Sequence, residues 1–154
     1  MQKLSLFLLF ALLFLGCVQK EEAKYCTVGI AGREKTLNLS AEIADTSAKR
    51  AEGLMHREFL CENCSMLFVF EEEGRHAMWM KNTLIPLDMV FISGEGRVVD
   101  VKADVPPCKT KICESYLPGE GAKYALEVNA GWSERNGITA GSFFYKGCKD
   151  YLQQ

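Results

Sequence analysis

Three features of the sequence predict a mainly β domain, a compact antiparallel β-sandwich or partly open barrel with one or two short helices. Short apolar runs of strand length recur from residue 36 nearly to the C-terminus. Their spacing is that of strands joined by hairpins, and several alternate apolar and polar residues with a period of two. Only two short segments change to a helical period, so strands outnumber helices, as in sandwiches and small barrels.

The elements follow in order. TLNLSAEIA (36–44) alternates Leu37, Leu39, Ala41 and Ile43 against polar neighbours, the mark of a half-buried strand. AKRAEGLM (48–55) opens behind Thr46-Ser47, holds good helix formers and stops at Gly53, which predicts about two helical turns. MLFVF (66–70) reads as a buried strand ended by the acidic turn EEEG (71–74). HAMWMK (76–81) is the next expected strand, and PLDMVFIS (86–93) follows a turn at Asn82-Thr83. GEG (94–96) makes a tight hairpin into RVVDVKADV (97–105). Residues 106–121 form a longer loop with three prolines; KYALEVNA (123–130) is a strand, GWSERNGI (131–138) a helical turn, and SFFYK (142–146) the closing strand.

The first residues have a different character. Lys3 precedes an apolar run from Leu4 to Leu15, and Gly16-Cys17 follows. A basic start, roughly a dozen apolar residues and a small residue before the cut describe a secretory signal. The run is shorter than the about 20 residues that a membrane span needs. FLGC resembles a lipobox, so residues 1–16 are expected to be a signal peptide and Cys17 the lipidated N-terminus. Residues 17–24 then form a polar tether, and 25–154 a single domain outside the cytoplasm, on the outer face of the cell membrane.

Cleavage after Gly16 removes one Lys and leaves 17 basic against 20 acidic residues, a charge of −3. That balance excludes the broad basic footprint of a nucleic-acid binder. Six cysteines remain beyond Cys17, an even number in an exported chain, which points to disulfides before metal or redox chemistry. Sequence leaves the connectivity open; the simplest set is Cys61–Cys64, Cys108–Cys113 and Cys26–Cys148, the last tying the two ends together.

Several stretches carry a resemblance. RAEGLMHR (50–57), SMLFVF (65–70), WMKNTLIPLDMVFI (79–92), the loop with Pro107, Cys108, Cys113 and Tyr116, and ALEVNAG (125–131) occur in this order. Together they resemble the family called domain of unknown function 192, with WMKNT…PLD the specific part. The resemblance implies a compact, mainly β fold in a protein of a family whose members are often exported, and implies no particular activity. Cys61 and Cys64 stand where the family is usually acidic or polar, so CENC is not explained by the resemblance.

Strand alternation groups the chemistry-bearing residues by face. His76, Met78 and Met80 share one face of their strand; Ala77, Trp79 and Lys81 share the other. Asp88 falls on the face of Val90 and Ile92, so a carboxylate is aligned with core residues and needs a partner. Arg50, Lys81 and the amides at Asn82-Thr83 are the candidates. Glu127 and Asn129 lie opposite Tyr124, Leu126 and Val128, and are expected to extend the same polar patch. The predicted site is therefore a shallow pocket with Trp79 as an apolar platform and Arg50, Lys81, Asn82, Asp88, Glu127 and Asn129 around it. Such a mixture suits a small polar or carbohydrate-like ligand, whose ring face stacks while its hydroxyls meet amides and carboxylates.

Competing chemistries remain. Asp88 and Glu127 would suit glycoside hydrolysis as an acid/base pair if correctly separated. No Ser-His-Asp order, nucleophile elbow or phosphate loop is present, and no cofactor is implied, so the sequence leans away from an enzyme. His76, Met78 and Met80 offer soft ligands for copper(I), although methionine on a strand is more often core. Cys61, Cys64, Cys108 and Cys113 have plausible ligand pairs for zinc. A purely structural accessory domain against another envelope protein is the third class.

Overall fold

In the computed structural model, residues 23–32, 36–145 and 147 are described. Nine strands and two short helices run in the order β1 (Tyr25–Ala31), β2 (Thr36–Ala44), α1 (Ser47–Glu52), β3 (Cys64–Gly74), β4 (Met78–Trp79), β5 (Leu87–Ile92), β6 (Val98–Val105), β7 (Ser115–Tyr116), β8 (Ala122–Asn129), α2 (Trp132–Asn136) and β9 (Phe144–Tyr145). Seven strands form one sheet in the order β6-β5-β8-β3-β2-β1-β9, while β4 and β7 pair separately. The expected signal peptide and Cys17 lie outside the described residues. Among the described residues no helix is long and apolar enough to cross a membrane.

The sheet curls until its two edges meet. Val98 N–H donates to Ser142 O at 2.8 Å and Phe144 N–H to Gly96 O at 2.7 Å, joining the β6 edge to the β9 edge. The mainly β, partly open barrel expected from the sequence is the architecture found. All pairings in the large sheet are antiparallel except β2 with β3, which is parallel. A parallel neighbour requires a crossover, and α1 with the CENC segment supplies it.

Each face of the curled sheet buries its own apolar cluster. The inner cluster includes Val28, Leu39, Ile43, Leu67, Val90, Ile92, Leu126, Val128 and Phe144, with Trp132 of α2 closing one end. The outer cluster includes Met66, Phe68, Phe70, Leu87, Met89, Phe91 and Ala125. Leu87, Met89 and Phe91 therefore face one way and Val90 and Ile92 the other, as the alternation in PLDMVFIS predicts.

The elements depart from expectation at three places. β1, Tyr25–Ala31, was not anticipated from its sequence and pairs along its whole length with β2. β3 does not stop at Phe70: it runs through the exposed Glu71–Glu73 to Gly74, with a register shift between Val69 and Gly74. The expected strand 76–81 contributes only Met78–Trp79, paired with β7 outside the large sheet. Met78 and Met80 belong to the outer cluster, so this segment lies across the outer face and packs against it by its Met side.

The cysteine expectations hold for the pairs that are described. Cys61–Cys64 and Cys108–Cys113 are disulfides. Cys26 is disulfide-bonded as well, while Cys148 lies outside the described residues.

Candidate functional site

Between α1 and the 76–83 segment, over the outer face of the sheet, is a cavity of about 250 Å³. α1 is set by local rules. Thr46 caps it, its hydroxyl accepting from Lys49 N–H at 3.2 Å, and Gly53 ends it with φ +50° and an amide donating to Lys49 O. A Cβ on Gly53 would stand 3.2 Å from Phe68 Cζ, so glycine here also lets the helix end close over the aromatic wall.

Phe68, Phe70, Leu54, Met55 and Met78 make the apolar walls. His76 stacks on Phe70 with ring centroids 4.0 Å apart, and its Nε2 lies 2.9 Å from Glu72 O. Trp79 is 46% exposed at the mouth, with Lys81 Nζ 5.2 Å from its ring centroid. Arg50 lines the same cavity, but its guanidinium is already engaged: Nη1 donates to Asp45 O and Val69 O at 2.8 Å each, and Nη2 pairs with Glu71 at 3.1 Å.

Glu127 lies at the bottom. It stands in register between Met66 of β3 and Met89 of β5, so its carboxyl points to the outer face into the cavity. The residue is 4% exposed, and its carboxyl makes no hydrogen bond or ion pair among the described residues. Burial alone pushes its pKa from 4.5 up to about 8. Thr83, likewise 4% exposed, lines the cavity too. Its amide donates to Met80 O at 3.1 Å, whereas its hydroxyl has no partner among the described residues.

The structure thus gathers Arg50, Trp79, Lys81 and Glu127 and separates the other three expected residues from them. Asp88 pairs with Val128 in the β5–β8 register, which places its side chain on the inner face, opposite Glu127. Neither Arg50 nor Lys81 is its partner. Fully buried, it accepts three backbone N–H bonds: from Asp104 at 2.9 Å, Gly131 at 3.0 Å and Ser133 at 2.8 Å. The last two belong to the start of α2, so Asp88 caps that helix from within the barrel. This geometry also removes the acid/base pair, because a sheet separates the two carboxyl groups. Asn129 donates from Nδ2 to Leu60 O and Cys61 O, holding the approach to the disulfide loop. Asn82 takes a left-handed φ of 54° and binds through its backbone, donating to Cys108 O and accepting from His56 N–H.

The metal alternatives fare differently from one another. Cys61, Cys64, Cys108 and Cys113 are consumed in disulfides, so the four-thiolate zinc set is overturned. Of the copper candidates, His76 and Met78 line the cavity, while Met80 packs in the outer cluster with 1% exposure. The Thr83 hydroxyl and the Phe68 and Phe70 walls were not assigned to the site from the sequence. Period-two alternation along β3 does put Met66, Phe68 and Phe70 on one face, and that was the available signal.

Fold and cavity define a small, disulfide-stapled, curled β domain with a hollow on its outer face. The chain belongs to the domain of unknown function 192 family, described as "Uncharacterized ACR", whose profile matches residues 28–144. A solved structure from Sinorhizobium meliloti 1021, described as a candidate transcription regulator, is 32% identical with a TM-score of 0.71; the match covers 80% of this chain and 95% of that one. A protein of unknown function from Novosphingobium aromaticivorans DSM 12444 is 28% identical with a TM-score of 0.76, covering 83% of this chain and 89% of that one. No curated protein matches the chain.

Proposed function

We propose that this protein is a non-enzymatic binding module for a small polar, carbohydrate-like ligand, exported and held at the outer face of the cell membrane by a lipid on Cys17. The observation that carries the reading is the Glu127 carboxyl, unpaired at the bottom of a cavity walled by aromatic and Met side chains. A buried polar group without a partner is costly, and at a cavity floor a bound water or a ligand satisfies it. The volume of about 250 Å³ falls just below the roughly 300–1,000 Å³ of pockets for drug-sized ligands, and suits nothing larger than a single sugar ring. Trp79 at the mouth offers the apolar platform that a sugar face stacks on.

Export is supported by the apolar N-terminal run ending in FLGC and by disulfides in the domain, which persist in oxidising compartments. The description of the Sinorhizobium relative does not transfer readily, because an acidic chain lacks the electrostatic footprint for DNA.

The test is a thermal-shift screen of neutral mono- and disaccharides on the full-length protein in detergent. A sugar that raises the wild-type transition and fails on Trp79→Ala supports the reading. If no sugar shifts the wild type, the protein is better read as an accessory domain contacting another envelope protein.

A further inference from the structure

The two unpartnered side chains on the cavity define more than a volume. We propose that the cavity selects an uncharged ligand, the Glu127 carboxyl donating a hydrogen bond to a ligand oxygen and the Thr83 hydroxyl holding the ligand at a second point. The proposal rests on the pocket reading above and names the recognition chemistry within it.

Glu127 and Thr83 are each nine-tenths or more buried, each lines the cavity, and neither side chain is bonded to any described residue. Polar groups of a settled core are paired; two left open on one hollow mark a place built for something else. The surroundings decide the charge. From α1, Arg50 and Glu52 line the cavity; from the crossing segment, His76 and Lys81 do. Arg50 is held by Asp45 O, Val69 O and Glu71, and His76 by Glu72 O, so neither turns to Glu127. On the flanking strands its neighbours are Met66 and Met89. Beyond them the row continues to Glu42, paired with Arg57, and to Lys102, paired with Asp100.

No counter-ion therefore stabilises a Glu127 carboxylate, and burial holds its pKa near 8, so at neutral pH it is a carboxylic acid with an O–H to give. A cationic ligand would share the cavity with Arg50 and Lys81 and would have to displace that proton. An anionic ligand would be desolvated beside apolar walls with no free cation at the floor. A hydroxyl or carbonyl oxygen accepts from Glu127 without either cost. The hydroxyl of Thr83 both donates and accepts, so it suits the second oxygen of a vicinal diol.

Three probes with one ring and different heads test this: trans-1,2-cyclohexanediol, cyclohexylammonium and cyclohexanecarboxylate. Binding is measured by titration calorimetry on the full-length protein in detergent from pH 5.5 to 9.5. The diol is expected to bind best, with level affinity to about pH 7.5 and a fall of about tenfold per pH unit above 8. Glu127→Gln should keep the diol, since its amide still donates, and lose the fall; Thr83→Val should weaken the diol about five- to tenfold. Tighter binding of the ammonium, rising with pH, overturns the proposal, as does preference for the carboxylate or a pH-independent diol affinity. If no probe binds while sugars act through Trp79, the proposal fails and the sugar-binding reading stands. If sugars fail as well, both fall.

Discussion

Replacing Glu127 by Gln should stabilise the protein, and by an amount that grows with pH. In the folded chain the carboxyl keeps its proton up to about pH 8, whereas unfolded it releases the proton near 4.5. Below pH 4.5 both states are protonated and burial carries no charge penalty. Between 4.5 and 8 the folded state binds the extra proton, so stability falls as pH rises, and above 8 it levels off. The slope is about 1.4 kcal/mol per pH unit. Across the interval from 4.5 to about 8 the loss approaches 5 kcal/mol as an upper bound, on the order of a third or more of a typical domain's stability. Water entering the cavity lowers that figure toward a few kcal/mol. Gln does not titrate, so the variant escapes the loss. Urea unfolding of wild type and Glu127→Gln at pH 4.5, 6, 7 and 8.5 measures the difference directly, and every other titrating group cancels between them. The gap should widen by several kcal/mol from the lowest to the highest pH. A gap independent of pH would refute the premise that Glu127 is buried without a counter-ion.

Three further outcomes are expected. Asp88→Ala strands three backbone N–H groups, one buried and two partly buried, and uncaps α2, which should cost about 3 kcal/mol in urea unfolding. Because Asp88 faces away from the cavity, any sugar affinity of the protein that remains folded should be unchanged. Cys108→Ser with Cys113→Ser opens a short loop and should cost about 2 kcal/mol. It should also shift Trp79 fluorescence, since the Cys108 backbone bonds Met80 and Asn82 on either side of Lys81. Cys17→Ser should abolish the lipid mass and leave either a soluble form or an uncleaved precursor, read by fractionation and intact mass; a wild-type protein whose mass carries no lipid at Cys17 would sink the lipid-anchor reading.

Local pattern made much of this molecule legible. Period-two alternation in PLDMVFIS sorts Leu87, Met89 and Phe91 from Val90 and Ile92, and the two clusters divide along that line. Thr46 and Gly53 marked both ends of α1 because caps are set by neighbours in the chain. What sequence could not show was pairing between distant strands. Asp88 and Glu127 each looked like a polar residue on a strand, and one patch seemed enough for both. The β5–β8 register sets Asp88 against Val128 and Glu127 against Met89. A shift of one residue in that register would have put both carboxyl groups on one face, so the decision lay in long-range pairing alone.

The same reasoning resolves HAMWMKNT, the run of residues 76–83 in which polar groups interrupt an apolar strand. Its Met side does pack inward, but onto the outer face of a sheet it does not join. Lifted out of the ladder, the segment leaves a gap between itself and α1, and that gap is the cavity. Trp79 and Lys81 stand at its mouth because they alternate with the buried Met78 and Met80. Thr83 reaches its lining because Asn82 turns the chain in the left-handed region and is held by Cys108 and His56. Asn82 thus matters to the site through its backbone, and the residue that lines the cavity in its place is the neighbouring threonine.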